Sequence, residues 1–418
     1  MATLSATELD FTQILRAGDT VVWGQASSEP LGLTQRLVAQ RHQLTDIDCF
    51  IGVSSSTTLA IEDPGGLRFT SYCGIGSNAR LFEHGLLDIV PTHFSQLPEL
   101  FRRRDLPADV VLLHLSPRGP DGCHSLGIVN DYLIAAARQA RLVIAQINPL
   151  MPWTRGSSLP DDIVIDWEVS HEQPLIEIPR AAIGQLERQI AQQAITLIPD
   201  GATLELGIGA LPDAVLAALQ HHRHLGIHSG MIGDAAMDLM QTGVVDNSRK
   251  PIDAGITTAG VLMGSQRLYD FAHQNSALQV KPANYTHAAQ VLAKFTNFVA
   301  INSAIEVDLS GQVNAEVVGS RYLGAVGGQG DFMRAALQVP EGKSIIVLPS
   351  VTRNGAISRI VPRLSEAVVT TARSDADYFV TEWGVAHLRG QPLRERARRL
   401  LAIAHPEHRE RLAQTVAA

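Results

Sequence analysis

The stretch from Asp200 to Asp234, DGATLELGIGALPDAVLAALQHHRHLGIHSGMIGD, limits most strongly what this chain can fold into. Thr203 to Leu206 alternate polar and apolar residues, as a half-buried strand does, and the turn GIGA follows at once. Pro212 then occupies a position favoured for a first helical residue, because its missing N–H costs nothing there. A strand, a glycine turn and a helix predict an α/β unit whose free N–H groups suit a phosphate or a developing oxyanion. Taken alone, the stretch equally fits a tight turn in any parallel-sheet protein.

The same order of elements recurs in the first half of the chain. A strand, a polar turn and a helix are predicted near the N-terminus, and a βαβ unit follows later, so we expect mostly parallel sheets flanked by helices. The strands are predicted at Thr20–Trp23, Asp109–Leu115 and Leu142–Gln146, and the helices at Leu33–Gln40 and Val129–Ala140.

Length and charge exclude several classes of protein. A chain of 418 residues should hold two domains, since single cores stop growing at about 250–300 residues. The net charge of -8 argues against a nucleic-acid partner, and the run Arg102–Arg104, followed by Asp105, is interpreted as solvated surface. No apolar run approaches the ~20 residues needed to span a membrane, so no membrane partner is expected.

The cysteines and the N-terminus indicate a cytoplasmic location. Cys49, Cys73 and Cys123 have no metal-ligand spacing and cannot all pair with one another. The first ten residues lack the basic start and apolar run of a signal peptide. No metal site is predicted.

A domain boundary is predicted near residue 180. The segment after Asn148 is rich in proline and has no periodicity, and an amphipathic helix begins near Ile183. The predicted domains are residues 1–180 and 181–418.

A second glycine loop, Gly324 to Gly330, follows a strand-rich region and leads into a helix predicted to start near Asp331. Its GGQG sequence lets a backbone approach a ligand closely, and the side-chain amide of Gln329 adds a donor. The turn at 309–312 is predicted to join two strands as a hairpin. Three carboxylates lie beside this loop in sequence: Glu306, Asp308 and Glu316.

Candidate polar groups in the first half lie in turns after strands. Glu29 is in the turn after the first predicted strand, and Glu62 is in the Ser/Thr/Gly-rich loops between Ile51 and Arg80. Arg118 lies in a Pro/Gly turn and could hold a carboxylate bidentately. For both glutamates a solvated surface position is an open alternative. His124 has no nucleophile signature around it and is interpreted as a polar turn residue.

An ordered set of motifs resembles the acetyl-CoA hydrolase/transferase family. The motifs are LELGIGALPDAVL, LGIHS, VLMGSQRLYDF, INSAIEVDLSGQVNAE, GAVGGQGDFMRAA and RSDADYFVTEWGVAHLRGQPLRERARRLLAIAHP. The resemblance implies two α/β domains of the CoA-transferase type with an active site between them. It also implies a CoA thioester donor, a short-chain carboxylate acceptor, no permanently bound cofactor and a homo-oligomer, a dimer or higher.

In the mechanism that the resemblance implies, a glutamate attacks the acyl-CoA, passes through an acyl-enzyme anhydride and becomes a glutamyl-CoA thioester. Two sets of residues are implied to bind CoA: Gly207, Ile208, Gly209, Ala210 and Leu211 in the first turn, and Gly324, Gly327 and Gly328 in the second loop. Candidate substrate contacts are Glu29, Arg118 and Gln329.

One departure from the family pattern concerns the nucleophile itself. Where the family reads LGIHSE, this chain has Gly230 after His228 and Ser229, and glycine has no carboxylate. Asn284, in PANY, and Glu205, before the glycine turn, are further departures from the resemblance.

Three explanations of Gly230 stay open at this point. The first is a CoA-transferase whose carboxylate comes from another loop, with Glu62 and then Glu316 as the candidates. The second is a hydrolase in which a carboxylate activates water, and the third is a catalytically altered CoA-binding relative. Glycine would also leave room for a dicarboxylate such as succinate or itaconate, clamped by Arg118 or Arg155. The donor expected for a transferase is succinyl-CoA or acetyl-CoA.

Overall fold

The computed structural model describes residues 4–352, 354–365 and 367–417. The chain divides into two compact units. The first unit consists of Met1–Pro179, Thr258–Thr286 and Arg321–Gly327, and the second of Arg180–Thr257, His287–Ser320 and Gly328–Ala418. The division into domains at residues 180 and 181 stays a prediction.

The elements follow one another in the order strand, turn and helix over much of the chain. Up to residue 195 they are β1 (Leu4–Ser5), α1 (Phe11–Ile14), β2 (Thr20–Trp23), α2 (Leu31–Ala39), β3 (Ile47–Ile51), β4 (Leu67–Ser71), α3 (Asn78–Glu83), β5 (Leu87–Ile89), α4 (Leu97–Arg103), β6 (Val110–Leu115), α5 (Leu133–Ala137), β7 (Leu142–Ile147), β8 (Trp167–Ser170) and α6 (Gln185–Ile195). Short 3-10 helices lie at Ala6–Glu8 and Phe94–Gln96.

The remaining elements begin with a strand in the stretch from Asp200 to Asp234. They are β9 (Thr203–Leu206), α7 (Ala210–Ala218), β10 (Gly226–Ile232), α8 (Asp234–Gln241), β11 (Thr257–Leu262), α9 (Gln266–Ala272), β12 (Leu278–Val280), α10 (Ala283–Thr286), α11 (Ala289–Leu292), β13 (Phe298–Ser303), β14 (Glu306–Asp308), β15 (Val313–Asn314), β16 (Val317–Val318), β17 (Arg321–Tyr322), α12 (Gln329–Gln338), β18 (Lys343–Val347), β19 (Ile360–Val361), β20 (Tyr378–Thr381), β21 (Gly384–His387), α13 (Leu393–Ile403) and α14 (Pro406–Ala417).

The first unit contains a parallel sheet with strand order β1-β8-β7-β6-β2-β3-β4-β5. Its central strand β6 is buried at every position, as expected of a parallel strand covered on both faces. The predicted helix Val129–Ala140 is wrong in length, because α5 covers only Leu133–Ala137. Asp131 Oδ1 accepts a hydrogen bond from the Leu133 N–H at 2.9 Å, and this side-chain contact precedes the helix start.

The second unit is built on strands in the order β10-β9-β13-β18-β20-β21, parallel except for the antiparallel pair β20 and β21. Helix α12 packs on β13 and β18, and its Phe332 and Met333 are part of the hydrophobic core. The α/β class with mostly parallel sheets and flanking helices is therefore confirmed. The predicted hairpin is also observed, since β14 and β15 pair antiparallel across the turn at 309–312.

The predicted strand Thr203–Leu206 has the bounds of β9, whereas both helices after the glycine turns begin two residues earlier than predicted. Helix α7 begins at Ala210, with Gly209 as its N-cap at a φ of 116°, and this conformation favours glycine. Pro212 is thus the third helical residue, where its missing N–H still costs nothing, because the first four N–H groups have no intrahelical acceptor. Helix α12 begins at Gln329 instead of Asp331.

Within the described residues, no helix is long and apolar enough to cross a membrane.

Candidate active site

The carboxyl ends of β9 and β10 lie side by side in the second unit. The Ser229 hydroxyl donates to the backbone carbonyl of Leu206 at 2.8 Å, so the two residues before the glycines are in contact. Gly207 and Gly230, each one residue further along, are therefore neighbours at about the 4.8 Å spacing of adjacent strands. In α/β proteins, ligands bind beyond the carboxyl ends of parallel strands. Gly207 follows the last residue of β9, and Gly230 lies in β10, two residues before its end.

The turn after β9 is open. A Cβ atom added at Gly207 or at Gly209 would have no heavy atom within 4 Å. Both glycines are half-buried and precede the first turn of α7. A ligand could therefore approach the backbone of this turn closely.

The neighbouring position, Gly230, is closed by the side chain of His287, which no sequence motif singles out. A Cβ atom at Gly230 would lie 2.8 Å from Nε2 and 3.0 Å from Cε1 of His287, and 3.3 Å from Phe332. A Cβ atom at Gly328 would lie 2.6 Å from the same Nε2. Gly328 has a φ of -87°, which any residue adopts, so at this position glycine is required by space and not by backbone conformation. His287 thus lies against two glycines from different parts of the sequence.

The His287 imidazole is buried and uncharged at neutral pH. Its ring packs on Phe332 with centroids 4.5 Å apart. Burial, assisted by nearby His228, lowers the pKa of His287 to about 3. His228 is itself buried, 5.0 Å from the ring of Phe295. The space in which the family glutamate was expected is therefore occupied by a neutral imidazole, and it does not provide room for a larger acid.

Glu205 is a second buried polar group at the end of β9. Its Oε2 accepts a hydrogen bond from Asn302 Nδ2 at 2.8 Å, and the residue is 4% exposed. Burial raises the pKa of Glu205 to about 8, although the hydrogen bond from Asn302 opposes this shift. The carboxyl group therefore carries its proton at pH 7 and acts as a neutral group.

Two predicted residues of the second unit contact the same pair of threonines. Oε1 of Glu316 accepts a hydrogen bond from the Thr370 hydroxyl at 2.6 Å, and Gln329 Nε2 donates to the Thr371 hydroxyl at 3.0 Å. Glu316 is buried and Gln329 is half-buried at the start of α12.

In the first unit, Glu29 is buried and Glu62 is exposed. Oε1 of Glu29 accepts a hydrogen bond from the Thr34 hydroxyl at 2.8 Å, and burial raises the pKa of its carboxyl group. The side chain of Glu62 is 81% exposed and lies 3.6 Å from Arg80. Arg118 is also exposed and donates to the backbone carbonyl of Gly122 within its own turn.

The second glycine loop is divided between the units. The carbonyl of Gly324 accepts the N–H of Gly74 at 2.8 Å, and that of Gly327 accepts the N–H of Phe94 at 2.9 Å, all within the first unit. Gly328 belongs to the second unit and is the N-cap of α12. Across the described ranges, no group of three or more His, Cys, Asp or Glu side chains is placed to hold a metal ion.

Comparisons with known proteins give the family of this chain. Residues 4–172 match the acetyl-CoA hydrolase/transferase N-terminal domain, and residues 264–416 match the C-terminal domain of the same name. The chain belongs to the acetyl-CoA hydrolase/transferase family, as the motifs predicted.

Several relatives and solved structures cover nearly the whole chain. A 4-hydroxybutyrate coenzyme A transferase of Clostridium kluyveri is 40% identical over 94% of this chain and 92% of its own. A succinyl-CoA:cyclohexane-1-carboxylate CoA transferase of Geobacter metallireducens is 34% identical over 96% and 92%. The crystal structure of RipA from Yersinia pestis superposes with a TM-score of 0.90 at 31% identity, covering 96% of this chain and 94% of that one.

Proposed function

We propose that this enzyme moves CoA from an acyl-CoA thioester, succinyl-CoA or acetyl-CoA, to a short-chain carboxylate. The observation that carries the proposal is the open turn at Gly207 and Gly209, which presents bare backbone at the carboxyl end of a parallel strand and the start of α7. Backbone N–H groups at such a turn bind phosphate or stabilise the oxyanion of a thioester under attack.

For the acceptor we propose a dicarboxylate such as succinate or itaconate. The support is the similarity to a transferase whose name includes transfer from propanoyl-CoA to succinate. Arg118 and Arg155 are exposed, and a guanidinium group can bind a carboxylate bidentately. Gly230 gives no support to a larger acid, because His287 fills the adjoining space.

As further parts of this proposal, Gly207 to Leu211 and Gly324, Gly327 and Gly328 bind CoA, and Glu29, Arg118 and Gln329 contact the substrate. Glu62 and Glu316 are the protein carboxylates proposed to replace the missing nucleophile. We also propose a cytoplasmic homo-oligomer. The cytoplasmic location is supported by the free thiols of Cys49, Cys73 and Cys123.

The test is an exchange assay with the purified protein. It is mixed with succinyl-CoA or acetyl-CoA and a panel of ¹³C-labelled carboxylic acids, and the CoA thioesters are followed by mass spectrometry. We expect labelled acyl-CoA to appear with at least one acid. Absence of any labelled thioester would refute the transferase.

Hydrolysis is the second candidate, favoured by the lack of a carboxylate at residue 230. It predicts that free CoA accumulates at the same rate whether or not an acid is present. A transferase instead consumes the donor in proportion to the new thioester formed.

A further inference from the structure

We propose that Glu205 is a further substrate-binding residue of this enzyme, whose carboxyl group donates a hydrogen bond to the acyl oxygen of a thioester seated at the Gly207 turn. The inference rests on the CoA-transfer function proposed above and assigns to that site a group on β9. Glu205 forms no covalent bond with the acyl group, so its role differs from the one proposed for Glu62 and Glu316.

The pairing of β9 with β13 places Glu205 on the face of the sheet that borders the open turn. Glu205 lies opposite Ala300 in this parallel pairing. Continued by two residues, the same register places Gly207 opposite Asn302. Because residues two positions apart on a strand share a face, Glu205, Gly207 and Asn302 all lie on one face of the sheet.

The carboxyl group of Glu205 is directed along the strand towards the turn. Its Oε2 accepts a hydrogen bond from Asn302 Nδ2 at 2.8 Å, and Asn302 is half-buried near the end of β13. Beside it, a Cβ atom added at Gly207 would have no heavy atom within 4 Å. The carboxyl group therefore borders the space in which a ligand would contact the backbone of the turn.

A hydrogen-bond donor fits this position better than an anion. Within the described residues, Asn302 is the one side chain that hydrogen-bonds the Glu205 carboxyl group, and no Lys or Arg side chain pairs with it. A buried carboxylate without a cation is costly, so the group keeps its proton, and burial raises the pKa of Glu205 to about 8. Because Oε2 accepts from Asn302, the proton lies on Oε1, which can donate it.

This hydrogen bond acts on the charge that develops when the thioester is attacked. As a nucleophile adds to the thioester carbonyl, the C=O electron pair moves to the oxygen, which the O–H of Glu205 and the backbone N–H groups of the turn stabilise. When the carbonyl re-forms, the C–S bond breaks and CoA leaves with the bonding pair as a thiolate. Glu205 keeps its proton throughout, so no bond to it forms or breaks.

The pH dependence of CoA transfer tests this role. Initial rates of transfer to a ¹³C-labelled acid are measured between about pH 6 and pH 9.5, and spontaneous hydrolysis of the thioester is subtracted. The kcat/KM of the wild type should fall about tenfold per pH unit above about pH 8, because the ionised carboxyl group cannot donate. On the same face lie His228, opposite Glu205 on β10, and His287, against Gly230. Every variant below keeps both histidines, so a difference between pH profiles reports Glu205.

Two variants separate the hydrogen bond from the charge. Glu205→Gln keeps an acceptor for Asn302 and a donor but cannot ionise, so it should transfer CoA within about tenfold of the wild type at pH 7 and lack the fall above pH 8. Glu205→Met, of similar length but with neither group, should lose about 100-fold in kcat/KM at pH 7. Asp131→Asn is the matched control, because Asp131 is also buried, has a pKa of about 6 and lies in the first unit; it should keep the fall above pH 8.

Three results would overturn the inference: a wild-type pH profile in Glu205→Gln, equal transfer by Glu205→Met and Glu205→Gln, or inactivity of folded Glu205→Gln, which would show that the carboxylate itself reacts. If Glu205→Met does not fold, the profiles of the wild type and Glu205→Gln decide. Lack of any labelled thioester from the wild type would refute the proposed function itself, whereas transfer with an unaltered profile in Glu205→Gln refutes only the role of Glu205.

Discussion

The contact between Gly230 and His287 makes a quantitative prediction about stability. In Gly230→Ala the new Cβ would lie 2.8 Å from Nε2, about 0.6 Å short of an ordinary 3.4 Å contact. The ring cannot easily yield, since Phe332 packs on its face and Gly328 also approaches Nε2. Overpacking of this kind costs about 1–3 kcal/mol, and we expect Gly230→Ala to lower the free energy of unfolding by that amount.

A double-mutant cycle identifies the cause. His287→Ala alone should cost about 2–4 kcal/mol through the lost ring. In the His287→Ala background, Gly230→Ala should cost almost nothing, which gives a coupling energy of about 1–3 kcal/mol. For the same reason, Gly230→Glu should fit only when His287 is shortened, so restoring the family carboxylate alone should not restore a family-type site.

The assay is equilibrium unfolding in urea, followed by circular dichroism for the two single variants and the double variant. Gly207→Ala is the control, because its Cβ would meet nothing within 4 Å, and it should change stability by less than about 0.5 kcal/mol. If Gly230→Ala behaved like Gly207→Ala, or cost the same with and without His287, the reasoning from this contact would be wrong.

Two further predictions concern buried ionisable groups. Burial raises the pKa of Glu205 in the folded protein from its ordinary value of 4.5 to about 8. The stability that the buried carboxyl group contributes is therefore fully present below about pH 4.5, and it is lost as the pH rises towards 8. The variant Glu205→Gln can keep the hydrogen bond from Asn302 and cannot ionise. Its free energy of unfolding, measured in urea, should rise relative to that of the wild type by about 3–5 kcal/mol between pH 4.5 and pH 8. A difference that does not change with pH would contradict the raised pKa. Burial raises the pKa values of the Cys49 and Cys73 thiols, whereas Cys123 is partly exposed. Ellman's reagent should therefore modify only Cys123 in the native protein and all three cysteines after denaturation. Rapid reaction of Cys49 in the native protein would disprove the burial argument.

Strands and hairpins were predictable because their signals are local. β9 and β2 have the bounds that the sequence predicted, because the pattern of buried residues in a strand appears directly in its own sequence. Helix starts were less accurate, because the N-cap at Gly209 and the side-chain contact of Asp131 depend on local geometry that hydrophobic periodicity does not report.

The candidate site was only partly predictable. The open turn at Gly207 follows from its sequence, and the missing carboxylate at Gly230 follows from the family pattern. The contact of Gly230 with His287 could not be predicted, because the two residues are 57 positions apart in the sequence. In the segment around His287, the family pattern singles out only Asn284. No periodicity or spacing brings these residues together; packing of Phe332 against His287 does.

The most direct test of the account is a single turnover with enzyme in excess, an unlabelled acyl-CoA donor, and an acceptor acid carrying ¹⁸O in both carboxylate oxygens. If a protein carboxylate replaces the missing nucleophile, as proposed for Glu62 and Glu316, the acceptor leaves one of its oxygens on that glutamate, so ¹⁸O enters the protein and the donor acid released is unlabelled. Donor acid that contains ¹⁸O, together with protein that contains none, would contradict the account, because the acceptor would then have attacked the donor acyl group without a carboxylate of the protein. Unlabelled donor acid without acceptor thioester would establish hydrolysis by water and contradict it equally.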